Sequence, residues 1–328
     1  MNRKFDIGYI GWWYGANYGS VVTNFALNRV LKDMGQTVLM LEWPILNGEI
    51  PKDKPNNKSR RFAEHFYEES LFYRLEDYGK FNYLCETFLV GSDQLWNWWS
   101  NRDVDSYYFF LDFVDDKHKK IAYATSFGHE SAHYPKNMQL KIRYLLSRFD
   151  AISVREKSGV AACKKKFGVD AEQTMDPVFL CSMEEYENAI ALSDVELKEP
   201  YVLAYILNPT ADKVEAVRYA AQELGQPYYI ILDGQGNFEE LKKQTDDPNV
   251  LDPMEIADWL KYFKYASYVV TDSFHGFCYS IIFKHNMSVF PNKVRGLARF
   301  ESWAAITGLD DRFVWSEEAM VANAPWTW

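Results

Sequence analysis

Cysteine, long apolar runs and surplus positive charge are all scarce in this sequence, and each shortage removes a class of protein. The four cysteines, Cys85, Cys163, Cys181 and Cys278, are far apart and form no CxxC pair, so neither a zinc site nor a disulfide framework is suggested, and a reducing cytoplasm fits best. No apolar run reaches membrane-spanning length. The start, MNRKFDIGYIGWWYG, is briefly basic, but its apolar part is only strand-length and lacks the small-residue cleavage pattern of a signal peptide. A formal net charge of −10 gives no general attraction for nucleic acid or anionic lipid, so any anion site must be local. No solenoid-period repeat or low-complexity segment is present either.

What remains is a folded, aromatic-rich chain. Its 328 residues are 48% hydrophobic and 25% charged, which favours two domains of roughly 150 residues. Aromatics reach 17%. Most should fill the two cores, and some can line a binding groove or an oligomer interface.

The pattern along the chain alternates short apolar strands with amphipathic helices. Asp6 to Gly11 reads as a buried strand, followed by a Gly-rich turn and a helix over Ser20 to Met34, with Ser20 as N-cap and Gly35 just past the end. Thr37 to Leu41 returns as a strand, which completes a βαβ unit and implies a parallel sheet. Lys52 to Arg61 reads as a mobile polar loop before a mainly helical segment. Strands at Thr87 to Val90, Lys120 to Ala124 and Ala151 to Val154 each run straight into a polar cluster. In a parallel sheet all those clusters lie at the carboxyl edge, where open α/β folds bind ligands.

A second parallel α/β half follows Pro200. Its expected strands are Tyr201 to Leu207, Tyr228 to Leu232, Tyr268 to Val270 and Met287 to Phe290. Its expected helices are Ala211 to Leu224, Glu255 to Lys264, Gly276 to Phe283 and Gly296 to Thr307. The expected division is therefore residues 1–198 and 199–328, both Rossmann-like and facing a cleft. The Trp-rich tail after Asp310 is expected to pack back on one of them, with the N-terminal domain as a candidate host.

Four clusters carry candidate chemistry. The first is GWWYGANYGS, Gly11 to Ser20, a turn that delivers backbone amides at a helix start; Asn17, Tyr18, Gly19 and Ser20 form its end. Such a turn can hold a phosphate or carboxylate, although it matches neither the dinucleotide fingerprint nor the P-loop, and a plain tight turn is an equal reading. The second is GSDQLWN, Gly91 to Asn97. Ser92 or Asp93 can simply cap the next helix, yet Ser92, Asp93, Gln94 and Asn97 crowd directed hydrogen bonds beside the ring of Trp96, which suits a sugar.

The third is SVREKSG, Ser153 to Gly159. The fork of Arg155, at a strand end, suits an anionic ligand, and the competing reading is an internal ion pair with Glu156 or Asp176. The fourth is TDSFHG, Thr271 to Gly276. Its His275 falls at a helix start, where a phosphate meets both amides and an imidazole. A lone histidine is more often structural, but this position raises the functional reading. Lys293, Arg295 and Arg299 form a small basic island downstream; such islands are usually just solvated.

In order and spacing, ANYGS, GSDQLWN, SVRE, DPVFL (Asp176 to Leu180) and TDSFHG with the following Lys-Val-Arg-Gly together resemble the polysaccharide pyruvyl transferase family. The resemblance implies a glycosyltransferase-B-type fold. It also implies transfer of a pyruvyl group from phosphoenolpyruvate to two hydroxyls of a sugar or glycan, lipid-linked acceptors included, forming a ketal. Phosphoenolpyruvate is a co-substrate there, and neither a further cofactor nor a metal is expected.

Family members use an arginine matching Arg155 and a histidine matching His275. Many carry Arg-Leu-His where this chain has Ser273-Phe274-His275, so one donor-side charge is missing, and Lys293 or Arg295 is the candidate replacement. The expected roles are catalytic for His275 and Asp93, donor-binding for Arg155, Ser273, Gly276, Lys293 and Arg295, and acceptor-binding or loop for Asn17, Tyr18, Gly19, Ser20, Ser92, Gln94, Trp96 and Asn97. A nucleotide-sugar glycosyltransferase and a catalytically inactive saccharide-binding relative are the rival readings.

Overall fold

The computed structural model describes residues 5–47, 49–101, 107–129, 132–198, 200–233, 238–292 and 297–314. Lys293, Arg295 and the tail beyond 314 therefore lie outside the described residues. The chain divides into two compact units, one of residues 1–14 and 22–181, the other of 15–21 and 182–328.

Strands β1 (Phe5–Ile10), β2 (Val38–Met40), β3 (Glu68–Glu69), β4 (Cys85–Val90), β5 (Lys119–Thr125), β6 (Ala151–Val154) and β7 (Glu172–Gln173) belong to the first unit. They form one sheet in the order β3-β2-β1-β4-β5-β6-β7, and every pair is parallel. Parallel strands need helical crossovers, which bury both faces of the sheet. Alternate residues accordingly split: Phe88 and Val90 join one apolar cluster with Ile142, Leu145 and Phe167, while Leu89 joins another with Ile7, Tyr9, Leu27 and Val38. The chain runs from β1 outward to β2 and β3, then returns to β4 on the other side of β1. The switch point therefore lies between the carboxyl ends of β1 and β4.

The second unit repeats the plan on a smaller scale. Strands β8 (Val202–Ile206), β9 (Tyr228–Leu232), β10 (Tyr268–Thr271) and β11 (Asn286–Val289) pair in parallel in the order β11-β10-β8-β9. Its switch point lies between β8 and β10, where Tyr205 pairs with Thr271.

Three expectations are corrected locally. The first helix spans Tyr18–Asp33, and its cap is Asn17, whose Oδ1 accepts from the Ser20 N–H at 2.9 Å, so Ser20 is inside the helix rather than its cap. The polar stretch from Lys52 does not run as loop to Arg61. Asn57 caps a helix at Lys58–Phe66, and Arg60 is buried against the Glu42 carboxylate, with Nη2 at 2.7 Å, and over the Tyr14 ring at 3.6 Å. A buried cation so satisfied makes this stretch part of the core. Finally, the units divide after Cys181 rather than at residue 198, because the helix Met183–Ile190 packs within the second unit, where the Tyr279 hydroxyl donates to the Tyr186 hydroxyl at 3.2 Å.

Candidate functional site

At the carboxyl edge of the first sheet, adjacent parallel strands bring the loops after β4, β5 and β6 side by side. Arg155, directly after β6, has no exposed surface; its Nη2 donates to Asp93 at 2.8 Å and its Nη1 to Asp176 at 2.6 Å. Burial works against the charge, and the Asp93 and Asp176 carboxylates more than offset it, so the guanidinium is held well above its ordinary value. Asp176 also accepts from the Ser92 hydroxyl at 3.3 Å and from the Val178 N–H at 3.2 Å. Asp93 itself sits at φ 91 and Ala124, at the irregularity of β5, at φ 52. Left-handed backbone at non-glycine residues costs about 1–3 kcal/mol each and is found where the surroundings enforce it.

In the second unit the carboxyl edge is organised around an acid. Asp272, just past β10, accepts from the N–H groups of Leu207 at 2.6 Å and Asn208 at 3.1 Å, so it pins the loop after β8 across the switch point. Lys213 Nζ at 2.8 Å and Asn292 Nδ2 at 3.2 Å complete its shell. The next residue, Ser273, caps the helix Phe274–Ile282 by accepting from the Gly276 N–H at 3.3 Å. A side chain at Gly276 would place Cβ 2.2 Å from Thr271 Oγ1, so glycine is required for the strand-to-helix turn to close.

His275 occupies the second position of that helix and is 6% exposed. A Cβ on Gly19 would lie 2.3 Å from His275 Nδ1, so the backbone at the start of the first helix presses against the imidazole. Tyr18 fixes that start: its ring stacks on Trp259 at 5.9 Å, and its hydroxyl accepts from the Met254 N–H at 3.0 Å and donates to the Met254 carbonyl at 3.2 Å. Two motifs some 256 positions apart, Gly19 and His275, thus build one feature within one unit. It joins two helix starts, whose dipoles favour negative charge, to an imidazole able to donate a proton.

The structure therefore unites Asn17, Tyr18, Gly19 and Ser20 with Ser273, His275 and Gly276. It separately unites Ser92, Asp93 and Arg155. Several expected roles change. Arg155 makes the internal ion pair, with Asp93 in addition to Asp176, because a guanidinium without exposed surface must be paired. Trp96 is a core residue, fully buried, donating from Nε1 to the Phe109 carbonyl at 2.9 Å and stacked on Phe110 at 5.4 Å. Neither Ser92 nor Asp93 caps the following short helix Trp98–Asn101; Asn97 does, accepting from the Trp99 N–H at 3.1 Å while donating to Gln94 Oε1 at 2.6 Å. Arg299 is likewise buried, over the Phe274 ring at 5.4 Å, not solvated.

Sequence reading missed Lys213, Asn292 and Trp99. Trp99, in the short helix Trp98–Asn101, is exposed at 56%. No group of three or more histidine, cysteine, aspartate or glutamate side chains suited to a metal ion occurs among the described residues.

A model of the polysaccharide pyruvyl transferase family matches residues 17–293, which takes in both of these edges. The chain belongs to the polysaccharide pyruvyl transferase family. None of the curated proteins compared with it matches. Solved structures share its fold at low identity. A putative UDP-N-acetylglucosamine 2-epimerase from Listeria monocytogenes is 11% identical over 98% of this chain and 91% of its own, with a TM-score of 0.54. UGT89C1 of Arabidopsis thaliana is 12% identical over 98% and 89%, with a TM-score of 0.51. The wall teichoic acid polymerase TagF is 11% identical over 89% and 72%, with a TM-score of 0.50. These likenesses agree with a family member built from two Rossmann-like domains in a glycosyltransferase-B-type fold.

Proposed function

We propose that this transferase moves a pyruvyl group from phosphoenolpyruvate to two hydroxyls of a sugar, forming a cyclic ketal. The observation that carries the reading is the meeting of two helix starts where Gly19 lies against His275, because the donor is small and multiply charged and this transfer begins with protonation at its carbon. The His275 imidazole gives a proton to the methylene carbon, which becomes a methyl group, and the first sugar hydroxyl adds to the neighbouring carbon. Phosphate leaves as the second hydroxyl closes the ring. Of the two hydroxyl protons, one ends on the methyl group by way of the imidazole, and the other leaves with phosphate.

Helix-start amides stabilise the departing charge in this scheme. Asp93, held in its ion pair with the buried Arg155, carries no proton in this scheme. Lys293 or Arg295, both outside the described residues, is the candidate for the donor-side charge that arginine gives other members where this chain has Ser273.

Phosphoenolpyruvate should raise Tm while nucleotide sugars leave it unchanged; the reverse result would favour the glycosyltransferase reading. His275→Ala should lower acceptor-dependent phosphate release by about 10²–10⁴-fold with the fold intact. Gly19→Ala should lower it in the same direction by displacing the imidazole. Near-normal release from His275→Ala would remove the histidine from the mechanism.

A further inference from the structure

The crossover between β5 and β6 carries a surface that the transfer chemistry does not use. The helix Lys136–Leu146 buries Ile142, Leu145 and Leu146, yet turns Leu140 and Tyr144, one helical turn apart, outward at 75% and 58% exposure. Leu140 is the most exposed of the large apolar side chains described, ahead of Leu71 at 70% and Met34 at 68%.

Cations frame this ridge. Lys136 lies one turn before Leu140, and Arg143 adjoins Tyr144 in sequence. The segment Cys163–Phe167 brings Lys164, Lys165 and Lys166 alongside, since Arg143 Nη2 donates to the Lys166 carbonyl at 3.1 Å. Lys141 is paired with Asp112 at 2.8 Å and Lys164 with Asp170 at 2.6 Å. Lys136, Arg143 and Lys165 form no ion pair with a carboxylate among the described residues, while the half-buried Lys166 donates from Nζ to the Ala132 carbonyl at 2.7 Å. In a chain of net charge −10, this is a local reversal of sign.

We propose that this face docks on an anionic lipid bilayer. A hydrated polyanion would meet the cations but leave Leu140 and Tyr144 in water, with no compensation for their exposure. A bilayer interface satisfies both halves of the pattern: headgroup phosphates meet the lysines and Arg143, while the leucine and the amphipathic tyrosine ring enter the headgroup and acyl boundary. Exposure and charge alone define this face, so it stands apart from the identity of the donor.

The test is co-sedimentation of the full chain with vesicles of phosphatidylcholine alone or mixed with phosphatidylglycerol. The chain should sediment with the mixed vesicles and not with phosphatidylcholine, and added salt should release it. Lys136→Gln and Lys165→Gln, both at exposed positions, should each lower the partition by about fivefold. The pair Leu140→Ser and Tyr144→Ser should lower it further with every charge retained, and circular dichroism should confirm that the variants fold. Absence of sedimentation with the mixed vesicles would overturn the proposal. So would binding that ignores the loss of Leu140 and Tyr144, which is the behaviour of a site for soluble polyanions.

Discussion

The two units solve the same problem with opposite charges. Parallel strands end in loops whose polar groups need partners, and in the first unit those loops close around a cation, Arg155, gripped by Asp93 and Asp176. In the second they close around an anion, Asp272, which gathers two amides, Lys213 and Asn292. The difference is instructive. A buried guanidinium consumes carboxylates and leaves side chains committed to one another, whereas a carboxylate that accepts from backbone amides fixes the loop and leaves the next side chains to a different task. His275 stands three residues beyond that acid, at a helix start.

The sharpest way to break this comparison is Arg155→Ala, which leaves Asp93 and Asp176 as uncompensated buried charges. Loss of one partner from a buried pair costs about 3–5 kcal/mol, and urea unfolding should show it; a cost near zero would mean that the first edge is not built on this cation. Asp272→Ala should cost less, about 1–3 kcal/mol, since the amides of Leu207 and Asn208 lose their acceptor while Lys213, its side chain 11% exposed, keeps the Asn208 carbonyl. Equal losses at the two sites would erase the contrast. Asn17→Ala removes only a helix cap and should cost about 1 kcal/mol. Its phosphate release should fall by more than that loss of stability explains if this helix start supports His275.

The smallest effect belongs to His285, away from either centre, where its Nε2 lies 2.6 Å from the Phe263 carbonyl. Burial lowers its pKa below the ordinary 6.5, with the Phe263 carbonyl in partial opposition. The folded chain therefore favours the neutral ring. Its contribution to stability is complete above pH 6.5 and is lost as pH falls toward the folded value. Tm should drop on acidification below that point in the wild type and drop less in His285→Gln.

Much of the architecture was legible because it rests on local pattern. Ala151 to Val154, Ala211 to Leu224 and Tyr228 to Leu232 stand where the sequence places them, since strand-length apolar runs and helical spacing are properties of a few neighbouring residues. Reading failed where a side chain's fate depends on distant partners. Trp96 resembled a sugar platform until Phe109 and Phe110 closed over it. Arg60 resembled part of a solvated basic loop until Glu42 and Tyr14 enclosed it.

The candidate site divides along the same line. Order and spacing of short motifs marked Ser273, His275, Asp93 and Arg155 as the residues to watch, and by themselves placed the chain beside its family. Only the folded chain decided that Arg155 faces two carboxylates, that Asp272 rather than a basic residue anchors the second edge, and that Gly19 lies against His275. Spacing records what a strand or helix does to its own neighbours. It holds no record of which remote group will fill the space beside them once two sheets have closed their crossovers.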